Sequence, residues 1–330
     1  MPDIFNPNEV SGSRPAPVPC TGDPMEARKV FSRLGFGAAV ILLLGSALQI
    51  AASVAVYLLA PKFAKTEAAA WLLTFVPLYA AAVPAGLLII RKIPAYPPQV
   101  RNVRPADCAA FLLVSVFLMY AGNFLGTMIS TALQNAFGIV SRNAASTYAS
   151  SESLLPKLLF MVILAPMIEE YVFRRALIDR MRPYGGKQAV ITSALIFGLF
   201  HGNLSQLFYA SALGLAFGYI YLKTGRLLYT VLLHMFINFT GSILAPALLN
   251  GADSADLSSL SSGFLTYVAA LIAVSVIGLA MLVTRRRSIA FLPEEKELPK
   301  GARFKTVWLN PGMILLVLSC LGMIVYSIAG

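Results

Sequence analysis

Nine apolar segments divide this chain, and all except the shorter fifth and sixth are close to the length needed to cross a lipid bilayer. The hydrocarbon core of a bilayer is roughly 30 Å thick, which a helix crosses in about 20 apolar residues. Of the 330 residues, 58% are hydrophobic and 12% are charged, which is too apolar for an ordinary water-soluble protein. We therefore predict an all-α polytopic membrane protein with about nine transmembrane helices: 34–60, 68–90, 108–133, 158–178, 188–202, 204–221, 227–248, 264–283 and 311–329.

The distribution of Lys and Arg predicts how these helices are oriented. Cytoplasmic loops of membrane proteins carry an excess of Lys and Arg. With nine helices and a cytoplasmic N-terminus, 22 of the 26 Lys and Arg fall on the inner side, so we predict the N-terminus in and the C-terminus out. The sequence pI of about 9.7 then reflects topology, and we expect no nucleic-acid partner.

The predicted helices divide the chain into a cytoplasmic polar tail, three transmembrane helices, an outer connecting loop, a four-helix membrane core and a C-terminal part, in the order 1–33, 34–133, 134–157, 158–248 and 249–330. The tail lacks the apolar core of a signal peptide, so the first helix is expected to be an uncleaved anchor. The C-terminal part consists of a loop and two helices, with a basic cytoplasmic linker at 285–305 between them. The three cysteines are far apart and predict neither a disulfide framework nor a metal site: Cys20, Cys108 and Cys320.

Ionisable residues lie inside the membrane core, most visibly in the segment APMIEEYVFRRAL. A charged group at that depth costs several kcal/mol unless it is paired or faces a wet cavity, so it marks a candidate functional site. Glu170 and Arg174 are four residues apart and can pair on one helix face, whereas Glu169 points about 100° away. The spacing predicts one neutralised carboxylate and one available carboxylate.

Both histidines of the chain also lie inside predicted spans. His234 and Asn238 share one face of their helix, and His201 lies at a similar depth on another helix. A carboxylate and an imidazole can activate water, and a second imidazole beside an amide NH2 can donate hydrogen bonds to an oxyanion. No Ser or Cys is placed as a nucleophile, and no HExxH zinc pattern occurs. The set is complete for amide hydrolysis without a covalent intermediate.

Three short motifs carry a family resemblance. The segments EEYVFR, FGLFH and HMFIN occur in this order on successive predicted helices. They resemble the EExxxR, FxxxH and HxxxN motifs of the CPBP family of intramembrane endopeptidases, the group that includes the CAAX prenyl proteases and many bacterial homologues. The resemblance covers roughly residues 155–248, about a third of the chain. It implies that 158–248 is a catalytic core.

The resemblance also implies a role for each motif residue. Glu169 and His201 are expected to activate water, and His234 with Asn238 to form the oxyanion hole. Three further motif residues are expected to support the site rather than to react: Glu170, Arg174 and Phe197. The family is usually regarded as glutamate-dependent, so no metal cofactor is expected, although two histidines and a carboxylate are also zinc ligand types.

The sequence leaves the substrate open. We expect a membrane-associated or lipidated peptide or protein substrate, and prenylation of that substrate depends on the host. The lipid bilayer is the other expected partner, and the plasma membrane of a prokaryote is the expected location. Two other functions stay open, a proton-coupled transporter and a non-catalytic membrane scaffold or immunity protein. Substitution of Asn238 discriminates between the peptidase and the transporter, because an oxyanion hole requires this amide and a proton relay does not.

Overall fold

A computed structural model describes residues 22–138, 148–149, 151, 153–249 and 261–329. Within these residues the structure contains nine long helices and no strand, which confirms the all-α prediction. In chain order they are α1 Pro24–Leu59, α2 Glu67–Ile90, α3 Pro105–Phe137, α4 154–181, α5 Gly186–Phe200, α6 Leu204–Thr224, α7 Leu227–Leu249, α8 Ser262–Arg285 and α9 Pro311–Ala329.

Six of these helices, all except α4, α5 and α6, are long and apolar enough to cross a membrane. The chain is therefore a multi-pass integral membrane protein. The helices outside this set include α4, which carries two acidic and two basic residues in one stretch, and α5, which is only 15 residues long. Two of the three motifs lie on α4 and α5. Nine crossings and the orientation of the termini stay predictions.

Several element boundaries differ from the sequence prediction. Helix α1 begins at Pro24, ten residues earlier than expected, because the Asp23 side chain accepts hydrogen bonds from the first backbone N–H groups and proline suits the first helical position. Residues 24–33 of the predicted polar tail are thus helical, and residues 1–21 lie outside the described part. Both ends of the predicted outer loop, 134–137 and 154–157, belong to helices. The remainder of that loop lies largely outside the described residues, as do residues 250–260.

Helix α4 changes its hydrogen-bonding pattern around the two glutamates. Two π-helical segments, Lys157–Leu164 and Tyr171–Ile178, flank the α-helical turn Ala165–Glu170. A π-helical turn is wider than an α-helical turn and is frequently found at functional sites. Pro166, which has no N–H to donate, lies in the α-helical turn between them. The irregular backbone coincides with the polar residues of α4.

The helices pack in two overlapping groups. Helix α1 packs against α2 and α9, whereas α3 packs against α6 and α8. Helix α5 joins the groups, because it packs against α6 and against the Tyr171–Ile178 segment of α4, and α7 packs against the other half of α4. Of the helices outside the predicted core, α1 and α2 lie against α4, and α9 lies against α5.

The linker after α8 is held against the turn between α4 and α5. The backbone N–H groups of Lys296 and Leu298 donate to the carbonyls of Pro183 and Tyr184 at 3.1 and 3.2 Å. Glu294 pairs with Arg182 at 3.0 Å. Burial raises the pKa of the Glu294 carboxyl, and the Arg182 guanidinium opposes this shift. The linker is thus held to this turn by residues 294, 296 and 298.

The contact between α1 and α9 depends on a glycine. A Cβ atom on Gly312 would lie 1.7 Å from the backbone oxygen of Ser32, so no side chain fits there. Close backbone approach at small residues is a common way for helices to pack in membranes.

We predict that Gly312→Leu separates α9 from α1 and lowers the free energy of unfolding by at least roughly 1 to 3 kcal/mol, the usual cost of overpacking. Gly322→Leu on the same helix is the matched control, because no atom lies within 4 Å of a Cβ there. Thermal unfolding of the purified proteins in detergent compares the two. Equal stability of both variants would show that the α1–α9 contact contributes little.

Candidate active site

A buried ion pair lies at the centre of the polar constellation. Glu170 and Arg174 are both 0% exposed, and the guanidinium contacts both carboxylate oxygens, with Nε 3.0 Å from Oε2 and Nη2 3.1 Å from Oε1. This is the pair that the four-residue spacing predicts. The Nη2 contact is a hydrogen bond, whereas Nε and Oε2 are close without hydrogen-bond geometry. A charge-assisted hydrogen bond is among the stronger polar interactions in proteins. It makes the burial of both charges possible.

Arg174 has further partners on neighbouring helices. Its Nη1 atom donates to the Ser193 hydroxyl at 3.4 Å, and Ser193 in turn donates to the carbonyl of Phe173 at 2.6 Å. The guanidinium carbon lies 4.7 Å from the ring centre of Phe197 and 5.8 Å from that of Phe217. A guanidinium over an aromatic face is attracted by the ring quadrupole. Arg174 therefore links α4 to α5 and α6.

Sequence reasoning did not find Ser193 and Phe217. Ser193 lies eight residues, or about two turns, before His201 on α5, so a search along that helix face could have found it. Phe217 lies on α6, which carries no motif residue, and nothing in its sequence neighbourhood indicates the contact. Phe197 was expected to pack, and its ring lies within 5.0 Å of the His201 ring and 5.8 Å of the His234 ring, centre to centre.

His234 connects the two glutamates. Its Nδ1 atom is 3.0 Å from Oε1 of Glu170, and its Nε2 atom is 3.8 Å from Oε2 of Glu169. An ionised carboxylate only accepts hydrogen bonds, so Nδ1 carries a proton. The Nε2 contact is too long for a direct hydrogen bond, but one water about 2.8 Å from each atom can bridge them. His234 thus faces a buried carboxylate on one side and an available carboxylate on the other.

Glu169 differs from its neighbour in its surroundings. Its side chain is 27% exposed, compared with 0% for Glu170. It lines a cavity of about 220 Å³. The two adjacent carboxylates therefore occupy different environments, as the helical geometry predicts.

His201 lines the same cavity as Glu169. It lies at the C-cap of α5, and its Nδ1 atom is 2.8 Å from the backbone carbonyl oxygen of Phe197. A carbonyl oxygen only accepts, so Nδ1 carries the proton, and a neutral ring then has its lone pair at Nε2. His201 can therefore accept a proton or orient a water at Nε2.

The cavity extends beyond the predicted four-helix core. Its walls come from α1, α2, α4, α5 and α9, and they include Gln49, Tyr79 and Met323. Gln49 on α1 donates to the carbonyl of Thr74 on α2 at 2.6 Å, which fixes the two N-terminal helices to each other beside the cavity. Residues 158–248 thus supply the polar side chains of the site, and helices outside that range complete its wall.

Asn238 lies one helical turn after His234 and is half-buried. Its Nδ2 atom donates to the carbonyl of Met161 at 2.9 Å, in the first π-helical segment of α4. A primary amide has two N–H donors, so one remains for another partner. The structure thus places His234 within 4 Å of both Glu169 and Glu170 and attaches Asn238, one turn later on α7, to α4.

In the part of the chain that the structure describes, no group of three or more His, Cys, Asp or Glu side chains is arranged to hold a metal ion. The ligand types closest to such a site are Glu169, His201 and His234, because Glu170 already pairs with Arg174. The absence of a metal cofactor stays a prediction.

Residues 151–240 match the family model for type II CAAX prenyl endopeptidase Rce1-like proteins. This segment of the chain is thus similar to the Rce1-like family. It contains all three motifs on which the resemblance depends, together with Ser193 and Phe217.

Two relatives support the same assignment. The Bacillus subtilis (strain 168) protein named "Putative membrane peptidase YdiL" is 25% identical over 159 residues, which are 46% of this chain and 63% of the relative. The Rattus norvegicus protein named "CAAX prenyl protease 2" is 37% identical over 82 residues, which are 24% of this chain and 26% of the relative. The chain thus covers less than two thirds of either relative. No solved structure matches it.

We predict that Arg174→Met destabilises the protein by about 3 to 5 kcal/mol, because it leaves the Glu170 charge buried without its partner. Arg175→Met is the comparison variant, since this side chain is 47% exposed and its partner Asp179 keeps a hydrogen bond from Tyr221, so it should cost less than Arg174→Met. Thermal or denaturant unfolding in detergent measures both. The double variant Glu170→Gln/Arg174→Met should be more stable than Arg174→Met alone. A double variant that loses the sum of the two single effects would contradict this coupling.

Proposed function

We propose that this protein is a membrane-embedded endopeptidase of the glutamic type, in which Glu169 activates water to hydrolyse a peptide bond. The observation that carries the proposal is the different state of two adjacent carboxylates. Glu170 is neutralised by Arg174, whereas Glu169 lines a cavity together with His201. The Rce1-like match of the surrounding segment supports a peptidase over other uses of these groups.

The first step needs a base beside a water. Glu169 takes a proton from the water while the water oxygen attacks the carbonyl carbon of the scissile bond, and His201 orients the water through Nε2. The carbonyl electrons move to oxygen and form an oxyanion. When the tetrahedral intermediate collapses, the C–N bond breaks and the leaving nitrogen receives the proton from Glu169. The products are a carboxylic acid and an amine, so the base is regenerated.

The second requirement is a pair of donors for the oxyanion. His234 contacts Glu170 at Nδ1, and its Nε2 atom lies on the side of Glu169. The donor that we propose for the oxyanion is an N–H at this Nε2 atom. Asn238 is attached to α4 through one amide hydrogen and has a second one to donate. Donors held in place before the reaction stabilise the developing charge without reorganisation.

The substrate we propose is a membrane-associated or lipidated peptide or protein. The location we propose for the enzyme is the plasma membrane of a prokaryote. Support comes from the apolar helices that surround the site and from the family match, whose description names CAAX prenyl endopeptidases. The bacterial origin of one relative is in keeping with the proposed location.

One observation favours a different function. Glu169, His234 and Glu170 form a chain of titratable groups inside the membrane, which a proton-coupled transporter could use as a relay. A relay needs the carboxylates and the imidazole but not the Asn238 amide, so this residue discriminates between the two functions.

We predict that Glu169→Gln and His201→Ala each abolish cleavage, because each removes a group that activates water, while both proteins stay folded. New protein termini in membranes of cells that express the wild type are compared, by mass spectrometry, with those in cells that express Glu169→Gln at the same level. The control is Glu295→Gln, which removes an exposed linker carboxylate and should leave the termini of the wild type unchanged. Termini specific to the active proteins identify the substrates.

Wild-type termini that persist in Glu169→Gln would overturn the assigned base. A complete absence of new termini in the native host, combined with a deletion phenotype that Glu169→Gln rescues, would replace catalysis with a scaffold function.

We predict that Asn238→Ala lowers kcat about 100-fold or more with little change in KM, the usual effect of removing one oxyanion donor. The variant also loses the hydrogen bond to Met161, so its unfolding temperature is measured beside its kinetics on an identified substrate. Unaltered kcat in a destabilised variant would assign Asn238 a structural role only. Proton uptake by vesicles that survives this substitution would favour the relay.

A further inference from the structure

A second cavity, of about 440 Å³, lies between α3, α5, α6 and α8. Its volume is in the range of small-molecule sites, roughly 300 to 1,000 Å³. It shares no lining residue with the cavity of Glu169 and His201. Its walls are almost entirely apolar, and none of the motif residues lines it. The proposed peptidase reaction therefore does not use this cavity.

The shape of the cavity follows from the way α8 meets α3. A Cβ atom on Gly278 would lie 2.1 Å from the carbonyl oxygen of Leu113, so the two helices touch there. Beyond this contact, Met281 of α8 faces the cavity, as do α3 residues from Ala110 to Leu118. The nine residues from Ala110 to Leu118, four of which line the cavity, span about 12 Å along the helix. This length is close to the half-thickness of roughly 15 Å that one leaflet of the hydrocarbon core provides.

One end of the cavity is basic. Lys187 at the start of α5 and Arg285 at the end of α8 both line it. The buried carboxylate of Asp107 lies 3.7 Å from Arg285 and 3.0 Å from Arg104, so the cations at this end outnumber the nearby acidic group. The distribution of Lys and Arg along the chain assigns this end to the cytoplasmic side, where membranes carry anionic lipids.

We propose that this cavity binds an anionic phospholipid, with an acyl chain along α3 and α6 and the phosphate between Lys187 and Arg285. Basic pockets between transmembrane helices on the cytoplasmic side are suited to anionic headgroups. The apolar wall matches an acyl chain in composition and in length along the membrane normal. A lipidated substrate is the weaker occupant, because its peptide would have to reach Glu169 in a cavity that shares no wall residue with this one.

The lipid would also complete the packing of α8. Among the six apolar helices α8 is the least buried inside the protein, with 6% of its most apolar window covered. Its main helix partner is α3. A phospholipid in the cavity would connect α8 to α5 and α6 and so stabilise the C-terminal part of the chain.

Native mass spectrometry of the detergent-solubilised full chain tests the proposal, after incubation with equal amounts of phosphatidylglycerol and phosphatidylcholine. The wild type should retain one phosphatidylglycerol in preference to phosphatidylcholine. Lys187→Gln should reduce this preference about fivefold, the equivalent of about 1 kcal/mol for one basic residue near a headgroup. Lys305→Gln is the matched control, because this exposed lysine is outside the cavity and its loss should leave the preference unchanged.

Ala216→Phe tests the acyl site, because its ring fills the cavity and should abolish retention of the lipid while the protein keeps its elution volume. Val114→Phe on the opposite wall serves if Ala216→Phe does not fold. Equal retention of the two lipids by the wild type, or full retention by a folded cavity-filling variant, would overturn the proposal. Displacement of phosphatidylglycerol by a farnesylated peptide would overturn it in favour of a substrate site. None of these results depends on peptidase activity, so failure here leaves the proposed function untouched.

Discussion

Glu170 and Arg174 carry opposite charges with no exposed surface inside a membrane protein, and the rest of the site is built on their pairing. A single charge at this depth would be costly, whereas two opposite charges in direct contact, with further polar groups and an aromatic face around them, are tolerated. The pair connects α4 to α5 through Ser193, to α6 through Phe217 and to α7 through His234. Four helices are thereby fixed around one polar centre.

The ion pair also explains why adjacent identical residues can serve different purposes. Glu170 is held by Arg174 and His234, which both hydrogen-bond to Oε1, while Oε2 lies 3.0 Å from Nε of Arg174. Glu169 lies one residue earlier and about 100° around the helix. Its side chain is partly exposed and lines a cavity. His234 lies between the two glutamates, 3.0 Å from the buried Glu170 and 3.8 Å from the available Glu169. The hydrogen bond of His201 to the Phe197 carbonyl fixes a second imidazole in the wall of the same cavity.

Both cavities are lined partly by the segment that matches the Rce1-like family and partly by helices outside it. Residues 151–240 supply every motif side chain, but α1, α2 and α9 close the cavity in front of Glu169 and His201. On another side of the same core, α3 and α8 enclose the larger apolar cavity with its basic end. The helices outside the family match thus supply walls of both cavities. We expect these walls, rather than the motif residues, to determine which membrane substrates and lipids the protein accepts.

Local rules account for what could be predicted from the sequence. Apolar length predicts membrane helices, and all nine predicted segments coincide with helices of the structure, because the bilayer requires every backbone polar group to be satisfied within its own segment. Helical spacing predicts the contact between Glu170 and Arg174 and the separation of Glu169, because both depend only on residues within one turn. Helix ends were less predictable: the start of α1 at Pro24 follows from the Asp23 cap, which lies outside the apolar run.

Contacts between helices were decided by tertiary structure alone. The meeting of His234 with both glutamates, the burial of Arg174 against Phe217 and the attachment of Asn238 to Met161 all join residues far apart in sequence. So do the walls that α1, α2 and α9 add to the cavity. The sequence by itself determined which residues had to be paired inside the membrane, because an unpaired charge is costly at any position there. Only the packing of the helices determined the partners, because helix rotation and crossing depend on side-chain contacts along whole helices rather than on spacing within one.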